Sequence, residues 1–162
     1  MTKALFVIDV QQWGFADYEW RLPDADELLP RLRARLEQAR EAGMPVIHVQ
    51  NDGAEGELDA PGEPLWNLVL APKDGELVVN KTSQDTFESN PDLAAKLRES
   101  GITEIEMIGC QSEMCVRSTA LGALAAGFKV SVPAGLHGTY DSDGKSAEQI
   151  KAEVDAELAT KL

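Results

Sequence analysis

The sequence predicts an α/β protein of three layers (α-β-α), with helices packed on both faces of a mostly parallel sheet of five or six strands. Two observations carry that reading. Apolar runs of strand length alternate along the chain with longer helical patterns, the order from which right-handed strand–helix–strand crossovers are made. The first of those runs, ALFVIDV from Ala4 to Val10, is too apolar for a strand with one wet face and reads as buried on both sides.

In chain order, Lys3 to Val10 is the first strand. It ends on Asp9, a carboxylate that must be paired or stand at an opening, because an unpaired buried charge is too costly. Asp24 or Asp26 can cap the next helix, in which Leu28, Leu32 and Leu36 form a core stripe while Arg31, Arg33, Arg35 and Glu37 face water. Gly43 and Pro45 end it, and Pro45 to Gln50 is the second strand. From Asn51 to Gly75 the composition turns to Gly, Pro, Asp and Glu around Leu65, Trp66, Leu68 and Leu70, which predicts an irregular surface excursion with a short apolar anchor. Glu76 to Asn80 is the third strand and delivers Lys81 at its end. A helix starting at Pro91 turns Leu93, Ala94 and Leu97 inward and stops at Gly101. A short fourth strand from Glu104 closes on Ile108 and Gly109, and a helix follows from Cys115 whose small residues Gly122, Ala123, Ala125 and Ala126 let it lie close to the sheet. Phe128 to Val132 is the fifth strand and Pro133 to Gly144 a glycine-rich loop. Ser146 caps a last helix with Ile150, Val154, Leu158 and Leu162 at four-residue intervals. No repeat or linker divides the chain, so residues 1–162 are expected to form a single domain.

Composition narrows the function. A formal net charge of −13 repels phosphate backbones and anionic lipid, and no basic patch offsets it, so neither nucleic-acid nor membrane partners are expected. The same field mildly favours neutral or cationic small molecules. No apolar run reaches membrane-spanning length and the N-terminus lacks a signal peptide's apolar core, so a cytoplasmic protein is expected. Cys110 and Cys115, the only cysteines, are too few and too close for a disulfide framework, which fits a reducing compartment.

Three reactive side chains fall where strands end, and in a parallel sheet ligands bind beyond the carboxyl ends of the strands. Asp9 follows the first strand, Lys81 the third, and Cys115 opens the helix after the fourth. At a helix's first turn Cys115 would feel unpaired N–H groups and the positive end of the dipole, which favour thiolate, and Lys81 would lower the pKa of both Cys115 and Asp9. Singly, each has a plainer reading: a small buried thiol, a paired structural carboxylate, a solvated lysine. Together they point to a thiol nucleophile beside a group that carries protons.

Three segments in this order, FVIDVQ (6–11), VVNKTSQDTF (78–87) and GCQSEMCVRSTALGALAAGF (109–128), resemble the isochorismatase-like cysteine hydrolases, the superfamily of nicotinamidases and N-carbamoylsarcosine amidases. The resemblance covers about Lys3 to Asp141 and implies the isochorismatase-like (Rossmann-like) fold. It further implies an amidohydrolase that cleaves a C–N bond of a small amide, ureide or lactam through a thioester, with Cys115 as nucleophile, Asp9 as general acid/base and Lys81 as third member. It implies a cis peptide between Cys110 and Gln111, an oxyanion hole from the backbone N–H groups of Gln111 and Cys115, and a homodimer or homotetramer. Gln11, Trp13, Trp66, Phe87 and Cys110 are assigned to the substrate pocket, with Phe15 a further aromatic candidate. Two alternatives stand beside the amidase: a catalytically idle module for self-association or partner binding, and a vinyl-ether hydrolase, whose family members lack the nucleophilic cysteine.

The chain departs from this pattern in four places. Nicotinamidase-like members hold a metal through an aspartate and histidines after the second strand, but NDGAEGELDAPGEPLW (51–66) has no histidine, and Asp52 alone with His48 inside an apolar strand does not make a metal site, so no metal and no cofactor are expected. Gly135 stands where relatives commonly carry an aspartate, while His137 and Thr139 match. Gln12, Trp13 and Gly14 replace a common Asn-Asp-Phe. Where relatives usually add a sixth strand, this chain predicts one absent or very short.

Overall fold

The computed structural model describes residues 2–162. β1 (Thr2–Ile8) is buried from Ala4 onward, and its side chains alternate between two cores: Ala4, Phe6 and Ile8 enter one, Leu5 and Val7 the other. That alternation is why the run is apolar throughout. After a single helical turn, α1 (Gln12–Phe15), α2 (Ala25–Glu41) lays Leu28, Leu32, Leu36 and Ala39 on the second core. Asp24 sits at its N-cap but makes no side-chain cap; its carboxylate takes Lys151 Nζ at 2.8 Å instead. β2 (Val46–Asn51) leads into a long excursion with one 3-10 turn at Pro64–Trp66, and β3 (Leu77–Lys81) follows. Next come α3 (Thr86–Ser89), α4 (Leu93–Glu99), β4 (Ile102–Cys110), a wide turn at Ser112–Val116, α5 (Arg117–Ala125), β5 (Lys129–Ser131), β6 (His137–Gly138) and α6 (Ala147–Ala159).

All strand pairs are parallel, in the order β3-β2-β1-β4-β5, with β6 pairing the end of β4. α2 covers one face. α4, α5 and α6 cover the other, through Leu93 and Leu97, Ala120 and Ala123, and Val154 and Leu158. The chain reverses its direction of travel across the sheet between β1 and β4, which makes their carboxyl ends the switch point where ligands bind in such sheets.

Several expectations change. β4 is nine residues long, the longest strand, because as a central strand it pairs with β1 along almost its whole length. β5 shrinks to three residues, while the sixth strand is very short, as expected, with two residues beside Gly109 and Cys110. Cys115 lies not in the first turn of α5 but in the wide turn before it, where the Gln111 carbonyl accepts from the N–H groups of Met114 and Val116, each at 3.2 Å. Leu162 is exposed because α6 ends at Ala159, so the residue no longer continues the helical stripe of Ile150, Val154 and Leu158. Ser146 caps α6 with Gln149 in a reciprocal box, as the sequence indicates.

Two local features hold the site edge. Gly109 has φ 131°, and a Cβ there would run into the backbone of Ile8, so only glycine lets β4 close on β1 at its carboxyl end. Glu76, just before edge strand β3, accepts from Arg40 Nε at 2.7 Å and Nη2 at 2.9 Å, sits 2.7 Å from His48 Nε2, and takes the Lys73 N–H at 2.9 Å. This clamp ties α2, β2 and β3 together. Burial holds the His48 pKa below its usual value against the pull of Glu76, so the ring is neutral at pH ~7 and donates Nε2–H to the carboxylate.

Arg40 holds Glu76 down at about 2 from 4.5, so this carboxylate stabilises the fold above its unfolded value and loses that contribution as pH falls. Glu76→Gln is expected to cost about 1–2 kcal/mol near neutral pH. The gap from wild type in urea unfolding should narrow as pH drops from 4.5 toward about 2; a gap independent of pH would show that the clamp owes nothing to charge.

Candidate active site

Parallel pairing brings the carboxyl ends of β1, β2, β3 and β4 to one edge. Asp9 follows β1 in the left-handed region at φ 51°, a conformation an aspartate tolerates better than most side chains. Lys81 ends β3, in register with Asn51 at the end of β2. β3 is two strands from β1, roughly 10 Å away, so the lysine must extend past the end of β2 to reach the switch point. Its Nζ lies 3.0 Å from Asp9 Oδ2, 3.1 Å from Cys115 Sγ, 3.0 Å from Asn51 Oδ1 and 3.0 Å from the Ser83 carbonyl. Asp9, Lys81 and Cys115, distant in sequence, therefore share one ammonium group. Asp9 and Lys81 are each 1% exposed, and Asp9 Oδ1 has no partner among the described residues. The Cys110–Gln111 peptide is cis.

Burial pushes the Cys115 thiol up to about 12; the Asp9 carboxylate adds to the rise, and Lys81 offsets only part of it. This overturns the expectation of a resting thiolate: desolvation and a neighbouring anion outweigh one ammonium. Burial likewise raises Asp9 above the ordinary aspartate value despite Lys81. Burial works against charge on Lys81 too, but Asp9 and Cys115 hold its pKa above the usual lysine value. At rest the site is a thiol, a carboxylate whose proton affinity is raised, and a committed ammonium.

The turn that carries Cys115 is supported from behind. Ser112 Oγ lies 2.7 Å from His137 Nδ1, whose Nε2 lies 2.7 Å from Asp155 Oδ1 on α6. Thr139 Oγ1 donates to Glu113 at 2.6 Å. His137 and Thr139 thus pin the turn to β6 and α6, which explains why both positions are polar although buried.

The isochorismatase domain family matches residues 3–157. The chain belongs to the isochorismatase family. It is 45% identical over 142 residues to a streptothricin hydrolase of Streptomyces noursei, covering 86% of this chain and 56% of that protein. It is 26% identical over 151 residues to an N-carbamoylsarcosine amidase of Arthrobacter sp, covering 80% of this chain and 57% of that one. The chain spans little more than half the length of these curated relatives. The crystal structure of an isochorismatase from Pseudomonas putida KT2440 superposes with a TM-score of 0.88 at 28% identity, covering 97% of this chain and 83% of the other.

An open cleft of about 700 Å³ leads to the sulfur, walled by Asp9, Trp13, Tyr18, Asp59, Gln111 and Cys115 among others. Of the residues assigned to the pocket from sequence, Trp13 lines it. Four others do not. Gln11 is fully buried and spent as a brace: its Nε2 donates to the carbonyls of Asn51 at 3.1 Å and Trp66 at 2.8 Å, and its Oε1 accepts the Asn51 N–H at 2.9 Å. Trp66 donates its indole N–H to Asp52 at 2.8 Å, outside the cleft. Phe87 stacks on Phe6 at 6.1 Å and packs on Phe128 at 5.9 Å in the core. Cys110 is fully buried in the core under α2, as is most of Phe15. Asn51 also belongs to the site, and the sequence signals it as it signals Asp9, by a polar residue closing the apolar run PVIHVQN.

The metal-holding pattern of nicotinamidase-like members does not fit this chain's donors. Asp52 Oδ1 is already engaged by two N–H donors, Trp66 Nε1 at 2.8 Å and Asn80 Nδ2 at 3.0 Å, and His48 is turned to Glu76. Gly135 lies outside the cleft, at φ 81° in a left-handed turn, where glycine relieves the strain an aspartate would carry.

Because the resting sulfur is protonated, alkylation of Cys115 by iodoacetamide should keep accelerating above the ordinary thiol value of 9.0. Rates read by mass spectrometry that level off near pH ~7 would instead reveal a preformed thiolate.

Proposed function

We propose that this chain is a cysteine-dependent amidohydrolase acting on a small amide, ureide or lactam. The observation that carries the reading is the single buried ammonium, Lys81 Nζ, 3.0 Å from Asp9 Oδ2 and 3.1 Å from Cys115 Sγ at the head of an open cleft. The named activities of the relatives, a streptothricin hydrolase and an N-carbamoylsarcosine amidase, point the same way.

In this reading Cys115 is the nucleophile and Asp9 the acid/base. As Sγ attacks the carbonyl carbon, its proton passes to Asp9, whose raised pKa suits it to accept and then return a proton. The carbonyl oxygen becomes anionic and is received by the backbone N–H groups of Gln111 and Cys115, which border the cleft. Asp9 gives the proton to the departing nitrogen, the C–N bond breaks, and a thioester remains. Asp9 then takes a proton from water as the hydroxide adds to the thioester, and returns it to the sulfur as the acid leaves. Lys81 keeps its charge throughout, offsetting the negative charge that moves between Asp9 and the oxygen of the carbonyl under attack.

An ammonia- or amine-release screen over small amides tests this. For any amide turned over, Cys115→Ala should lose about 10³-fold or more in kcat/KM, and Asp9→Asn a comparable factor, with thermal unfolding showing both variants folded. Equal rates for wild type and Cys115→Ala would end the reading.

A further inference from the structure

The cleft carries charge that the chemistry above leaves unused. Besides Asp9, which that chemistry uses, its walls hold two carboxylates, Glu57 and Asp59, and among the described residues no cationic side chain; Lys81 is committed to Asp9 and Cys115. Glu57 and Asp59 belong to the loop after β2 and form no ion pair among the described residues. They are nonetheless fixed. Glu57 Oε2 accepts from the Ala54 N–H at 2.8 Å, and Asp59 Oδ2 accepts from Asn51 Nδ2 at 3.0 Å. Both converge on Gly53, where an added Cβ would strike carboxylate oxygens of each, so this glycine makes room for two like charges to approach. Holding two anions together without a counter-charge is unfavourable, and a bound cation removes the penalty.

Independent features of the same cleft ask for a ligand. Asp9 lines it, is 1% exposed, and leaves Oδ1 with no hydrogen-bond partner among the described residues, although a buried carboxylate oxygen ordinarily has one. Trp13 and Tyr18 add aromatic wall of the kind that accepts a cation on its faces. Asp59 is also close enough to matter electrically: burial raises the pKa of Asp9 and of Tyr18, and the Asp59 charge adds to the rise in both. Asn51 links the two halves, with Oδ1 on Lys81 and Nδ2 on Asp59, each at 3.0 Å.

We propose that Glu57 and Asp59 form a cation subsite, so that the substrate is an amide bearing an ammonium or guanidinium group, seated between these carboxylates while its carbonyl faces Cys115. The inference deepens the amidase reading and rests on it for the identity of the reacting group. Anionic amides are disfavoured by the same two charges.

Three monoamides of one length separate the possibilities: 6-aminohexanamide, hexanamide and adipic acid monoamide, which end in an ammonium, a methyl and a carboxylate. Binding is read by calorimetry on Cys115→Ala, and turnover on wild type. The Cys115→Ala protein should bind 6-aminohexanamide about tenfold or more tighter than hexanamide, with adipic acid monoamide weakest, and the order should weaken with added salt. Adding Glu57→Gln and Asp59→Asn should bring the three within about threefold. Equal affinities, an order unchanged by these substitutions, or no binding of 6-aminohexanamide overturns the subsite. Charge-selective binding without turnover of any amide by wild type would leave the subsite standing and remove the amidase, whereas turnover without charge preference would do the reverse.

Discussion

The fold's carboxyl edge depends on one buried ammonium. Taking Lys81 out of water costs several kcal/mol, and an ion pair regains that only when its remaining donors are also satisfied. Here they are: Asp9 supplies the opposite charge, and the Asn51 side-chain oxygen, the Ser83 carbonyl and the Cys115 sulfur crowd the two remaining N–H groups, so none is left without an acceptor. Those partners come from the ends of β1 and β2, the segment after β3 and the turn after β4. Register, strand order and the close approach at Gly109 are what place them within reach of one another.

That arrangement sets where the protons rest. A cysteine beside a lysine would ordinarily be acidified, yet burial and the adjoining carboxylate prevail, and Cys115 stays protonated. A protonated sulfur beside a carboxylate of raised proton affinity suits a mechanism in which the proton moves only as the new bond forms. It also keeps the sulfur less open to oxidation, which follows thiolate character. Asp9 bears a backbone cost for its position, since its left-handed conformation is one that few non-glycine residues adopt.

Much of this was legible in the sequence, and the boundary has a physical basis. Asp9 and Lys81 could be read because a charged residue closing an apolar run has few places to go, and a parallel sheet sends such ends to one edge. The sheet could be read from alternation alone. Pocket walls could not, because which way Gln11, Trp66 or Phe87 points depends on neighbours brought in by the tertiary fold: Phe87 meets Phe6 and Phe128, and Gln11 meets backbone groups 40 and 55 residues away. The same limit hid the placement of Cys115, since nothing in SEMCV marks a wide turn rather than the first turn of a helix.

The proposed chemistry and the proposed recognition draw on different kinds of segment, and their join is narrow. Asp9, Lys81 and Cys115 sit at strand ends and in the braced turn, where neighbouring strands and the Ser112–His137–Asp155 chain fix them. Glu57 and Asp59 sit on an irregular excursion whose anchor is local, through Gly53, Ala54 and the Asn51 amide. A change in that loop can therefore alter the charge presented to a ligand without moving Asp9 or Cys115. Asn51 is the exception: with its amide oxygen on Lys81 and its nitrogen on Asp59, it belongs to both systems, so a side chain that served only one of them would remove a hydrogen bond from the other.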